Sequence, residues 1–140
     1  MNALNIKQVV SIFQQQKMII KRDFAWIHVL YLFGSYAKGT ATANSDIDIA
    51  IFIDTKTYKI MNDLEFAVFL EQKCKKETEI LVMQKVSPIV QHEVLKTGIR
   101  LYESDPIKRS QLELQSFRHY LDAKYLLEKQ IQLRKHYDTK

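Results

Sequence analysis

The stretch LFGSYAKGTATANSDIDIAIF, residues 32–52, decides how the rest of this 140-residue chain is read. Upstream of it, WIHVLYLF (26–33) is bulky, β-branched or aromatic almost throughout and stops at Gly34, the pattern of a buried strand that ends in a turn. GSYAKGTATANS (34–45) then holds two of the three glycines in the chain and a cluster of small polar residues, a loop with room for one helical turn. Next, DIDIAIFID (46–54) alternates Asp46, Asp48, Ala50 and Phe52 against Ile47, Ile49, Ile51 and Ile53. Such alternation predicts a second strand, with both aspartates on one face at its start.

Outward from this pair the pattern turns helical. Residues 4–17 place Ile6, Val9, Val10 and Phe13 on one helical face, and residues 58–75 place Ile60, Leu64, Val68 and Glu71 at i, i+4 spacing, with Phe66, Phe69 and Leu70 widening the buried side. ETEILVM (77–83) predicts a third strand. Ser87 followed by Pro88 is an N-cap and first-turn pair that starts a helix over 88–97, ended by Gly98. IRLYE (99–103) is a short fourth strand, and Asp105 with Pro106 mark the turn into a last helix. The order α, β, loop, β, α, β, α, β, α predicts one compact α/β (α+β) unit, a small mixed sheet flanked by helices with a C-terminal helical extension. No internal repeat or low-complexity linker interrupts it.

Length and composition agree with a single globular core: 46% hydrophobic and 26% charged residues are close to the globular average. A lone cysteine, Cys74, cannot form an internal bridge, which excludes a disulfide scaffold and suits a reducing compartment. No run approaches the roughly 18 apolar residues of a membrane span, and MNALNIKQVV lacks the layout of a signal peptide, so a cytoplasmic protein is expected. The net charge of +5 is unevenly spread. Residues 1–106 carry 13 Lys+Arg and 12 Asp+Glu, whereas residues 107–140 carry 8 and 4. The last helix therefore holds most of the imbalance, beside a stripe of Leu114, Phe117, Leu121 and Tyr125 widened by Tyr120, Leu127 and Ile131. Two readings stand: the stripe packs on its own domain while the charges solvate the other face, or part of the helix docks a partner.

Chemistry concentrates between Leu32 and Ile53. Gly34 permits a tight turn in which backbone N–H groups approach a phosphate without Cβ interference, and the Ser35 hydroxyl can bond a phosphate oxygen. Lys38 can add a positive charge to that cradle, and Gly39 lets the loop turn back. Carboxylates at i and i+2 of a strand stand roughly 6 to 7 Å apart on one face. That spacing suits two Mg²⁺ ions about 3.5 to 4 Å apart that clamp a nucleoside triphosphate for in-line attack by a hydroxyl. The alternative is plain: Asp and Ser at strand starts are common turn and cap residues. Two unpaired aspartates beside apolar strands, however, are unfavourable unless a cation or donors compensate them.

Gly34-Ser35, ten residues, Asp46, one residue, Asp48 resembles the G-S-x10-D-x-D pattern of the DNA polymerase β-like nucleotidyltransferase superfamily, and the wording around it is similar to the minimal nucleotidyltransferase branch. The resemblance runs over about residues 27–105, through TEILVM, SPIVQHEVLKTG and IRLYESD. With a chain of this size and a helical tail it most resembles antitoxins of the HEPN/minimal nucleotidyltransferase toxin-antitoxin family. The resemblance implies a nucleotidyltransferase domain over 1–106 and a partner-docking helical extension over 107–140 within the same compact unit. It implies transfer of AMP from ATP to a tyrosine of a HEPN-type ribonuclease toxin, with two Mg²⁺ ions. Carried over by position, Gly34, Ser35 and Lys38 would hold the triphosphate, and Asp46 and Asp48 would be catalytic metal ligands. The family's third carboxylate, usually Asp, matches Glu79, with Glu77 on the same face as the alternative. Glu reaches further by a methylene, so it can hold a metal but leaves the geometry of the base open.

Rival functions are steric neutralisation of the toxin by the basic helix with a vestigial site, and nucleotidyl transfer to a small-molecule hydroxyl, for which about 35 residues after Asp105 leave little acceptor-binding room. Nucleic acid is the least favoured partner, because the basic residues of the tail are interleaved with acids. His28 is expected as a packed core histidine, and His92 and His119 lack a partner at metal-binding spacing. Cys74 is read as a helix-end residue whose neighbours Lys73, Lys75 and Lys76 could lower its pKa. Tyr120, Tyr125 and Tyr137 are read as packing or interface residues. Neither a Walker loop nor a Ser/His/Asp hydrolase pattern is present.

Overall fold

The computed structural model describes residues 4–138. Helix α1 (Ile6–Asp23) leads to strand β1 (Ile27–Phe33), the short helix α2 (Gly34–Lys38), strand β2 (Ile47–Ile53), helix α3 (Asn62–Cys74) and strand β3 (Thr78–Val82). A 3-10 turn (Met83–Lys85), helix α4 (Pro88–Thr97), strand β4 (Ile99–Glu103) and helix α5 (Pro106–Asp138) follow. The strands make one mixed sheet in the order β3-β2-β1-β4, with β1 antiparallel to both neighbours and β2 parallel to β3.

Alternation along the central strands divides the core into two layers. Ile47, Ile49 and Ile51 with Leu30 and Leu32 face α1 (Val9, Phe13, Ile20) and α3 (Phe66, Leu70). Val29, Tyr31, Ala50 and Phe52 face Met83, Val94 of α4 and Leu112 of α5. Ile27 shares the first layer with Leu30, despite the odd spacing, because β1 carries one extra residue, His28, opposite β2. His28 therefore sits half-buried at a bulge and not in the packed core that its apolar surroundings predict. Burial there lowers its pKa.

Local chemistry sets the helix ends. Asn5 and Gln8 form a reciprocal capping box at α1, which runs past the predicted end at residue 17 because MIIKRD holds no breaker and Ile20 continues the Val9–Phe13 face. Ser87 accepts the Val90 N–H as the N-cap of α4, as predicted. Gly98 ends that helix in extended conformation, and what demands glycine is space: a Cβ would lie 2.5 Å from the Val94 carbonyl oxygen. The helix predicted over 58–75 begins only at Asn62. Asp54 receives the Thr57 and Tyr58 N–H groups on its carbonyl, and Asn62 Oδ1 accepts the Lys59 N–H at 2.6 Å, so turn chemistry occupies 54–61. Ile60 is consequently 88% exposed and Leu64 and Val68 face outward; Phe66, Leu70 and Cys74 carry the buried side.

Among the described residues, the first half of α5, up to Tyr120, carries its contacts with the rest of the fold. Ser116, buried, donates to Gln91 Oε1 at 2.7 Å, and the Gln91 amide donates to the Met83 and Val86 carbonyls. Tyr31 donates to Glu113 at 2.7 Å, while Arg109 bridges Glu113 and Glu103. His92 of α4 stacks on Tyr120, with ring centroids 3.6 Å apart. Phe117 and Tyr120 meet α4 through His92, whereas Leu114, Leu121 and Tyr125 remain exposed, so the stripe packs on its own domain only in part. Among the described residues no helix is long and apolar enough to cross a membrane.

Candidate active site

The hairpin of β1 and β2 brings the sequence-predicted residues to one end of the sheet. β1 delivers Gly34 at φ +71°, a left-handed conformation that a residue with a Cβ adopts only under strain. Space adds a second reason for glycine, since a Cβ at position 34 would lie 2.2 Å from Asp48 Oδ2. The Asp48 carboxylate therefore rests directly on the turn. Gly34 opens α2, whose N-cap, Phe33, supplies no side-chain hydrogen bond to the first turn. Ser35 is half-buried and its hydroxyl makes no hydrogen bond among the described residues, while its carbonyl accepts the Gly39 and Thr40 N–H groups. Gly39, left-handed at φ +76°, closes α2 as the sequence predicts. Lys38, one turn beyond Gly34, is exposed and pairs with no carboxylate within salt-bridge distance among the described residues.

The carboxylates meet from two strands. Asp48 pairs in register with Phe33 on one side and with Glu79 of β3 on the other. Asp46 lies exposed just before β2, and the Ile47 N–H donates to the Glu77 carbonyl at 3.0 Å, which sets the parallel register that puts Glu79 beside Asp48. Glu77 and Glu79 are both exposed. Burial in the turn pushes the Asp48 pKa up to about 6, and the neighbouring Glu79 and Asp46 carboxylates push the same way. No three His, Cys, Asp or Glu side chains among the described residues are grouped tightly enough to hold a metal ion as they stand. What the chain brings together is an all-oxygen set in mutual repulsion, a donor chemistry suited to a hard divalent cation.

Two further groups escape a reading of local patterns. Lys76, in the turn between α3 and β3, donates to the Ala43 carbonyl at 2.7 Å and so ties down the loop that leads to Asp46. Within that loop the Ser45 hydroxyl accepts the Thr42 N–H at 2.8 Å. The lysine run around Cys74 is the only trace of this in the sequence, and it suggests thiol activation instead. The structure reverses that suggestion: Cys74 is buried at the end of α3, and burial raises its pKa to about 11.

Residues 7–107 match the family model described as Polymerase beta, Nucleotidyltransferase. The chain belongs to that nucleotidyltransferase family. Among relatives, it is 27% identical over 84 residues to the protein adenylyltransferase MntA of Shewanella oneidensis, a match covering 60% of each chain. It is 28% identical over 82 residues to a candidate protein adenylyltransferase of Methanocaldococcus jannaschii, covering 58% of this chain and 81% of that one. Among solved structures, a toxin-antitoxin with AMP-PNP superposes at a TM-score of 0.66 with 21% identity, over 95% of this chain and 98% of the other. An MNT antitoxin in complex with the tri-AMPylated Shewanella oneidensis HEPN toxin gives a TM-score of 0.62 with 19% identity, over 91% and 97%. At such identities these structures speak for the fold: the mixed sheet, the flanking helices and the long C-terminal helix of this nucleotidyltransferase are shared.

Proposed function

We propose that this nucleotidyltransferase is a Mg²⁺-dependent protein adenylyltransferase that acts as an antitoxin, transferring AMP from ATP to a tyrosine hydroxyl of a HEPN-type toxin. The observation that carries the proposal is the seating of Asp48 on the Gly34 turn with Glu79 beside it and Asp46 two residues upstream. In this reading the uncapped first turn of α2 and the free Ser35 hydroxyl bind the triphosphate, and Lys38 neutralises part of its charge. Asp46, Asp48 and Glu79, drawn closer than they stand, would hold the metal, which would offset phosphate charge and polarise the reacting phosphoryl group. The tyrosine oxygen bonds to the α-phosphorus as the bond to the bridging oxygen breaks; pyrophosphate leaves, and the phenolic proton passes to the Glu79 carboxylate. The names of the similar proteins, adenylyltransferases and toxin-antitoxin complexes, support the same donor and acceptor. A cytoplasmic setting fits ATP as substrate and keeps Cys74 reduced.

The test is incubation with α-labelled ATP, Mg²⁺ and the HEPN protein encoded beside this chain. Label on the HEPN protein with the wild type, and none with Asp46→Ala/Asp48→Ala, is the expected result; equal labelling by both overturns the proposal. The exposed stripe of α5 favours one second reading, neutralisation by binding alone. Toxicity that stays suppressed by the double aspartate variant would establish it.

A further inference from the structure

The sheet has an open edge at β4. Strand β4 pairs with β1 alone, so its outer row of N–H and C=O groups has no strand partner among the described residues. Along this edge runs a groove of about 410 Å³ between α1 and β4. Val10, Ile99 and Leu101 give it an apolar floor, and Gln14, Lys17 and Arg100 give it polar walls. Below the floor, the buried Tyr102 hydroxyl finds no hydrogen-bond partner among the described residues. Cations outnumber the one acid along this groove. Glu103, its acid, is taken by Arg109, while Arg100 lies 3.5 Å from the same carboxylate oxygen and stays 44% exposed. Lys17 has no carboxylate within salt-bridge distance among the described residues, and Lys21 follows it on the same ridge of α1 by helical spacing.

We propose that this edge takes an extended, acidic segment of the partner protein as a fifth strand. Main-chain hydrogen bonds to β4 supply affinity, and alternate side chains supply specificity, with apolar ones on the Val10–Ile99–Leu101 floor and Asp or Glu ones against Lys17 and Arg100. A second copy of this chain is a poor occupant, because it would set the same cations against each other. The extra residue at Leu101, where Leu30 pairs with Tyr102 and Tyr31 with Arg100, bends the edge and further discourages indiscriminate pairing. The edge also points toward the candidate site. Ile99 pairs with Leu32, two residues before Gly34, so a strand added along β4 runs to the same end of the sheet as the turn that holds Asp48. The inference rests on the proposed function in taking the acceptor protein as that partner.

The experiment compares hydrogen exchange of the β4 amides in the free chain and in complex with the neighbouring HEPN protein, and measures the Kd of Lys17→Glu/Arg100→Glu. Slowed exchange within 99–103 on complex formation, with binding weakened about tenfold or more, is the expected result. Binding of an ATP analogue by the charge-reversed variant should match wild type, which excludes misfolding. If a complex forms with β4 exchange unchanged, or with the reversed variant binding within about twofold of wild type, the edge is not the docking surface. A protected edge without AMP transfer overturns the enzymatic proposal and leaves this one standing; the absence of any complex overturns this one.

Discussion

Replacing Asp48 by Asn should stabilise the metal-free protein. Asp48 is partly buried against the Gly34 turn, with Glu79 opposite in register and Asp46 nearby, and its pKa is pushed up from 3.8 to about 6. The folded chain thus holds this proton more tightly than the unfolded chain does. Its contribution to folding is fully present below pH 3.8 and is lost as pH rises through about 6. The difference corresponds to about 3 kcal/mol as a ceiling. Solvent screening of a partly exposed carboxylate reduces it to about 1 kcal/mol. Asn keeps the shape and removes the charge. Thermal unfolding followed by circular dichroism in EDTA should therefore show Asp48→Asn melting about 3 to 5 °C above wild type at pH 7.5, with the gain shrinking at pH 4. Mg²⁺ with an ATP analogue should raise the wild-type Tm and leave the variant nearly unmoved. A variant that melts at or below wild type at pH 7.5, or whose advantage is the same at both pH values, would refute the electrostatic account of the turn.

Other outcomes follow from the packing. Gly34→Ala should lose about 1 to 2 kcal/mol from its positive φ, and by displacing Asp48 it should abolish AMP transfer even where the fold survives, as read by melting and labelling side by side. Ser116→Ala leaves Gln91 Oε1 without its donor and should destabilise by about 1 to 2 kcal/mol in urea unfolding. Leu121→Asp/Tyr125→Asp, on the exposed stripe, should change stability by less than about 0.5 kcal/mol while weakening capture of the HEPN protein. Cys74, buried and with its pKa near 11, should resist iodoacetamide at pH 8 until denaturant is added.

What a linear sequence discloses here depends on whether the physics is local. Strict alternation over 46–54 is enough to put Asp46 and Asp48 on one face, because side-chain direction in a strand repeats every two residues. Ser87-Pro88 is likewise a short-range signal, and its cap forms as the spacing predicts. Glu79 is placed by motif, but its position opposite Asp48 depends on the parallel register, which a backbone bond from Ile47 to Glu77 sets across 30 residues. Ile60 and Leu64 mislead because their helical spacing continues into a segment whose Asp54 and Asn62 bonds form turns. The Tyr31–Glu113 bond joins residues 82 apart, and the Lys76–Ala43 bond joins residues 33 apart; no periodicity carries either. Their partners are chosen by the fold as a whole.

The placement of the candidate site on the β1–β2 hairpin also bears on how the chain assembles. Thirteen residues, 34–46, separate these two strands, whereas 65 residues, 34–98, separate β1 from β4. Loop-closure entropy grows with the logarithm of length, so joining β4 to β1 costs about 1.4 kcal/mol more than joining β2 to it. The turn at Gly34 and the two aspartates thus belong to the most local antiparallel pairing in the sheet, within reach as soon as the chain has been made through Ile53. Strand β4 and the anchored part of α5 close later, over long loops. Substitutions there should accelerate unfolding of the outer edge while leaving the hairpin among the last amides to exchange.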